Sequence, residues 1–314
     1  MAVSSPGERF TVRVPDGRSG PDSRSGPDSR SVEVLAAGPV DGLPLVFHTG
    51  TPAGLVAFGP MIEAAASRGL RMICYSRPGY GKSDRQPGRT VADATSDVTA
   101  ILDHLGADGF VTAGWSGGGP HSLACAALLP GRCLAAATIA GVAPYPADGL
   151  DWLAGMAAEN VTEFNAALAG PAELTAFLEH DALTMADVTG EQIIEAFGGL
   201  VTQADRDALT GEYAAFTAES TRAALSTGIA GWFDDDLAFM RPWGFGLESL
   251  GSAVPVSIWQ GDQDAMVPFA HGRWLASHIP NAHAHLLTGE GHLTLGVTRF
   301  GDVLDELVEL SVRS

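Results

Sequence analysis

The chain has 314 residues, 46% hydrophobic and 18% charged, which suits one core with a sizeable insertion and excludes a disordered chain. A formal charge of −19 repels phosphate backbones and anionic lipid, so neither nucleic acid nor a membrane is an expected partner. Cys74, Cys125 and Cys133 are odd in number and include no CxxC pair, which argues for small core residues in a reducing compartment. No basic, apolar leader opens the chain and no run of about 18 apolar residues occurs, so a cytoplasmic location is expected.

In chain order, residues 10–14 and 32–35 read as short strands around a duplicated hexapeptide, Arg-Ser-Gly-Pro-Asp-Ser at 18–23 and again at 24–29. Such a repeat cannot bury a core, and 18–31 is expected to be a flexible surface loop. Strands at 43–47, 70–75, 109–113 and 134–139 then alternate with helical stretches at 55–66, 91–105 and 116–129. This alternation predicts an α/β fold with a mostly parallel sheet covered on both faces. From 145 to 250 the pattern is almost all helical. Strand character returns at 254–259 and 283–287, and an amphipathic helix closes the chain at 300–312. The expected organisation is a core of residues 1–144 and 251–314 interrupted by a helical lid at 145–250.

The strongest local signal is Gly114-Trp115-Ser116-Gly117-Gly118, a G-x-S-x-G placed where a strand turns into a helix. A nucleophile on so sharp a turn needs small neighbours, and glycines supply them. A serine hydroxyl also needs a base, and the base needs an orienting carboxylate. Gln260-Gly261-Asp262-Gln263-Asp264 and Gly289-Glu290-Gly291-His292 each follow a strand, in the order Ser, Asp, His. Ser116, Asp264 and His292 are therefore the candidate catalytic residues. Asp262 is the runner-up for the acid and is expected to cap its turn; Asp148 is a third choice.

The candidate oxyanion donors are the backbone N–H groups of Gly117 and Thr51. Thr51 lies in the loop His48-Thr49-Gly50-Thr51-Pro52 after the strand at 43–47, where Pro52 has no N–H to give. His48 could line the site, His121 is expected to be packed, and His104, His180, His271 and His278 read as surface or helix positions. His283 and His285 share a strand face but lack a third ligand, so no metal is expected. The segment Ser76-Arg77-Pro78-Gly79-Tyr80-Gly81-Lys82-Ser83 only partly matches a phosphate-binding loop.

Taken together, these motifs resemble the α/β-hydrolase superfamily from about residue 10 to the C-terminus. The resemblance is carried by 49–52, 75–83, the turn around Ser116, 261–268 and Gly291-His292. It implies a serine hydrolase of the esterase or lactonase kind, with no metal or organic cofactor. The chain is also similar to the lactonases that open the macrolactone zearalenone. It departs from many relatives at Thr49-Gly50, where they have His-Gly, and at Ser76, where they have Asp.

The lid is rich in aromatic residues. Trp232, Phe233, Phe239 and Met240, with Trp115 beside the nucleophile, are the candidate substrate-binding residues, and they favour a hydrophobic small-molecule ester or lactone. Two alternatives remain open. One is an aminopeptidase of the proline-iminopeptidase type, in which Glu212, Glu219 or Asp234 to Asp236 would hold a substrate amine. The other is a non-catalytic member that only binds a ligand.

Overall fold

The computed structural model describes residues 7–15 and 29–313. Eight strands form one sheet: β1 (Glu8–Pro15), β2 (Ser29–Ala37), β3 (Leu43–His48), β4 (Leu70–Tyr75), β5 (Phe110–Trp115), β6 (Cys133–Ile139), β7 (Val256–Gly261) and β8 (His283–Leu287). Their order is β1-β2-β4-β3-β5-β6-β7-β8. β1 and β2 pair antiparallel, as do β2 and β4; every other pair is parallel. The sheet is thus mostly parallel, as the alternating pattern requires. The duplicated hexapeptide lies outside the described residues apart from Ser29, where β2 begins.

Alternate residues of each strand face opposite layers. Val46 packs with Val98, Ile101 and Leu102 of helix α2 (Ala94–Leu105). Its neighbours Leu45 and Phe47 pack on the other face, with Met61, Ile62 and Ala65 of α1 (Gly59–Ala66). The first layer also holds α3 (Gly119–Leu128), and the second the C-terminal helix, whose Val303, Leu304 and Leu307 are fully buried. Cys74, Cys125 and Cys133 are buried, unpaired core residues.

Between β6 and β7 the chain is helical: α4 (Ala158–Ala169), α5 (Pro171–Met185), α6 (Ile193–Ala196), α7 (Gln203–Ala208), α8 (Gly211–Leu225) and α9 (Ala230–Phe239). The chain then continues through β7, α10 (Phe269–His278), β8, α11 (His292–Thr298) and α12 (Phe300–Ser311).

Two expected helices are shorter than their apolar spacing suggested. The stretch at 55–66 is helical only from Gly59, because Gly54 N–H donates to Ser220 O at 2.9 Å and ties the preceding loop to α8. The stretch at 91–105 opens with a single 3₁₀ turn, Val91–Asp93, which Asp93 holds by accepting Thr90 N–H at 2.6 Å. No helix among the described residues is long and apolar enough to cross a membrane.

Candidate active site

β5 ends in extended backbone at Trp115, and the chain then reverses at Ser116 with φ 56°. A non-glycine residue in the left-handed region costs about 1–2 kcal/mol, and the surrounding packing holds it there. A Cβ on Gly114 would collide with Gly118 O, and one on Gly118 with His48 O. The turn is therefore closed to any residue larger than glycine at these positions. The outcome is a serine raised at the C-terminal edge of the sheet, in front of α3.

His292 is the first residue of α11. Its Nδ1–H donates to Asp264 Oδ2 at 2.8 Å, and both side chains are buried. Asp264 also accepts Gln260 Nε2–H at 3.0 Å, Met266 N–H at 2.9 Å and Val267 N–H at 2.8 Å. These bonds fix the carboxylate and aim it at the imidazole. Burial pulls the His292 pKa down, but the charge and hydrogen bond of Asp264, aided by Asp205, hold it above the ordinary imidazole value. The other buried histidines move the opposite way. Burial and the nearby positive charge of Arg77 push His121 down to about 3, and burial pushes His271 to about 4 and His48 well below 6.5. Of these four, His292 alone is suited to take a proton near neutral pH.

Ser116 and His292 line the same cavity, of about 130 Å³. A second cavity of about 120 Å³ meets Ser116 from the side of Gly117 and Phe239 and does not reach His292. Thr51 borders both. It stands against Gly117, where a Cβ would strike Thr51 Oγ1, and a Cβ on Gly50 would sit 4.0 Å from Ser116 Oγ. The two backbone positions expected to face an oxyanion are thus neighbours beside the serine.

The loop carrying Thr51 is held by a buried ionic cluster that sequence patterns did not disclose. Arg77 Nη1–H donates to Thr49 O at 2.6 Å, and Nη2–H to Gly50 O at 2.8 Å and Thr51 Oγ1 at 2.9 Å. Arg77 pairs with Asp235 of α9 at 2.6 Å, and Asp235 also pairs with Arg89 at 2.7 Å. Tyr80 Oη–H and Thr51 Oγ1–H donate to the same carboxylate at 2.9 and 2.8 Å. Burial opposes ionisation of Asp235, yet Arg77 and Arg89 hold its pKa below the usual carboxylate range.

A second unforeseen residue is Asp205 of α7, which is fully buried. It accepts the backbone N–H groups of His292, Leu293 and Thr294 at 3.2, 2.7 and 3.2 Å and so caps α11.

The expected pocket residues divide. Trp115 lines the cavity shared with His292, stacks on the imidazole at 6.1 Å and donates Nε1–H to His292 O at 3.2 Å. Trp232 and Phe239 line the second cavity. Phe233 and Met240 line neither of these two cavities. Phe233 packs beneath the Arg85 guanidinium, 5.6 Å from its ring, and Met240 packs against core side chains.

Other expectations also sort by contact. Asp262 is half-buried and accepts Gly289 N–H at 2.8 Å, the turn role expected of it, and Asp148 is exposed. His121 is packed, its Nδ1–H donating to Gly117 O at 2.9 Å. His48 is buried against Tyr75 and lines neither cavity. His271 is a helix position, in α10, and is fully buried, with Ala143 N–H and Trp152 O bracketing its two ring nitrogens. His283 and His285 both face Glu306, at 3.4 and 2.9 Å. Among the described residues no group of three or more His, Cys, Asp or Glu could hold a metal ion.

A family model described as alpha/beta hydrolase fold matches residues 44–297. The chain belongs to the α/β-hydrolase fold family. Among relatives of known sequence, it is 35% identical over 134 residues to a non-heme chloroperoxidase of Streptomyces lividans, over 42% of this chain. That match spans about half the relative's length (49%). Among solved structures, a bromoperoxidase from Bacillus anthracis superposes with TM-score 0.64 at 21% identity, covering 96% of this chain and 100% of that one. A thermophilic esterase from Thermogutta terrifontis gives 0.63 at 17% identity, with 97% and 99% covered. The enol-lactonase from Burkholderia xenovorans LB400 gives 0.61 at 18%, with 89% and 97% covered. At these identities the structural likeness is one of fold.

Proposed function

We propose that this α/β-hydrolase is a serine hydrolase that cleaves a small carboxylic ester or lactone through an acyl-enzyme on Ser116. The observation that carries this is the pairing of His292 with a fully hydrogen-bonded Asp264 in the cavity where Ser116 stands at positive φ. The esterase and enol-lactonase among the structural relatives agree with it.

In the proposed cycle His292 Nε2 takes the Ser116 hydroxyl proton as Oγ attacks the carbonyl carbon. The oxyanion is met by the N–H groups of Gly117 and Thr51. On collapse the C–O bond breaks and Nε2 delivers its proton to the leaving alcohol. Water, deprotonated by the same nitrogen, then attacks the acyl group and releases the acid and free Ser116. Asp264 keeps the proton on Nδ1 and offsets the imidazolium charge. Of the two cavities that meet Ser116, the one that also reaches His292 takes the leaving alcohol, against Trp115, Tyr213, Phe216 and Leu293. The helical insertion serves as the lid over both cavities.

The test is the rate of aryl-ester and lactone hydrolysis by the wild type, Ser116→Ala and His292→Ala. Turnover by the wild type that falls by orders of magnitude in both variants is expected. A folded wild type that hydrolyses neither class speaks for a ligand-binding member of the fold.

A further inference from the structure

The cavity that meets Ser116 without reaching His292 has an unusual wall. Four carboxylates line it, Glu159, Glu163, Asp181 and Asp236, and no Lys, Arg or His does. Elsewhere around the site buried carboxylates are matched by cations or by backbone N–H groups: Asp235 by Arg77 and Arg89, Asp234 by Arg85, Asp205 by three N–H groups. Asp236 has no such match. It is 1% exposed, and its Oδ2 finds no donor among the described residues. Its carboxyl neighbour is Glu163, whose own Oε1 accepts Trp232 Nε1–H at 2.6 Å. Arg89 is the cation that acts on Asp236, but its Nη2 is committed to Asp235 and to Gly231 O. A buried carboxylate oxygen with no donor is costly unless a ligand supplies one.

Resting on the hydrolase reading above, we infer that this cavity is an acyl pocket for substrates bearing a basic nitrogen, whose ammonium group is held by Asp236 and Glu163. The leaving alcohol must lie within reach of His292, so the acyl chain takes the other cavity, past Gly117 and Phe239. Its apolar walls, Phe164, Phe239 and Trp232, suit a methylene chain or ring, and the aromatic faces favour a cation at its end. Without a ligand, burial keeps Asp236 well above the carboxylate range, and raises Glu163 to about 7, so the pair holds a proton that an ammonium would replace. Of the lid acids the sequence offered for holding a substrate amine, Asp236 is the one that lines this cavity. Glu212 and Glu219 line neither cavity, and Asp234 and Asp235 are spent on Arg85, Arg77 and Arg89.

The experiment compares kcat/KM for phenyl esters of ω-amino acids, from glycine to 6-aminohexanoate, with the straight-chain esters in which a methyl replaces the ammonium. At the best-fitting length the amino ester is expected to be preferred by at least about tenfold, since a charge-assisted bond to a buried carboxylate carries that much discrimination. In Asp236→Asn and in Glu163→Gln this ratio is expected to fall toward or below one. The ratio does not depend on the fraction of enzyme that folds, so either variant can decide the matter. Hydrolysis of the alkyl esters with no amino preference at any length overturns the inference and leaves the hydrolase reading standing. A preference that both variants retain also overturns it. Absence of any ester turnover removes both.

Discussion

Asp205, in the helical insertion, accepts the backbone N–H of His292, the first residue of a helix 87 positions further along the chain. The insertion thus holds the helix that presents the candidate base. One carboxylate caps three N–H groups and adds negative charge near the imidazole. Asp205→Asn keeps an acceptor and removes the charge. The acid limb of kcat/KM is expected to move to lower pH, because the variant loses a negative charge that helps to raise the His292 pKa. Asp205→Ala loses the cap as well and is expected to cost about 1–3 kcal/mol in chemical denaturation.

In the wild type, kcat/KM is expected to fall as pH drops through a His292 pKa above the ordinary imidazole value, because only the neutral imidazole accepts the Ser116 proton. Asp264→Asn leaves Gln260, Met266 and Val267 as neighbours but takes away the acceptor that fixes Nδ1–H. A loss of about 10⁴ in kcat is expected, measured with one aryl ester at the wild-type pH optimum.

The Arg77–Asp235–Arg89 cluster couples α9 to the loop that carries Thr51. Asp235→Asn leaves two buried guanidinium groups short of a counter-charge. It is expected to destabilise the fold by about 3–5 kcal/mol, read from urea unfolding, and to lower kcat in the fraction that folds. Arg85→Ala removes a half-exposed side chain but leaves the buried Asp234 carboxylate without its partner, and is expected to cost about 1–3 kcal/mol in the same measurement.

The turn at Ser116 makes a steric prediction. Gly118→Ala would push a methyl into His48 O and is expected to abolish activity and lower Tm. Gly131→Ala, where a Cβ meets nothing within 4 Å, is the matched control and is expected to change neither.

The candidates Ser116, Asp264 and His292 could be picked out because each follows a strand in a short, glycine-marked segment, and the structure brings His292 against Asp264 and into one cavity with Ser116. The sheet was legible from its alternating runs, and so were the two short strands around the repeat, but not their antiparallel pairing. Asp205 and Glu163 were not, and Asp235 was named only for a substrate amine, not for its pairing with Arg77 and Arg89. Each lies in an insertion helix with no local motif, and each acts on a residue 69 to 158 positions away: Trp232 for Glu163, Arg77 for Asp235 and His292 for Asp205. Phe233 and Met240 failed as pocket residues for a related reason. A cluster of apolar residues on one helix does not reveal which of its faces meets the cavity, and the α9 face that does carries Trp232, Asp236 and Phe239.

The central claim is that His292 activates Ser116. The most direct measurement is intact mass after treatment with a fluorophosphonate probe, for the wild type, Ser116→Ala and His292→Ala. One adduct on the wild type, absent from Ser116→Ala and much slower to form in His292→Ala, is the expected result. A folded wild type that takes up no probe, or an adduct that persists in Ser116→Ala, would contradict the account.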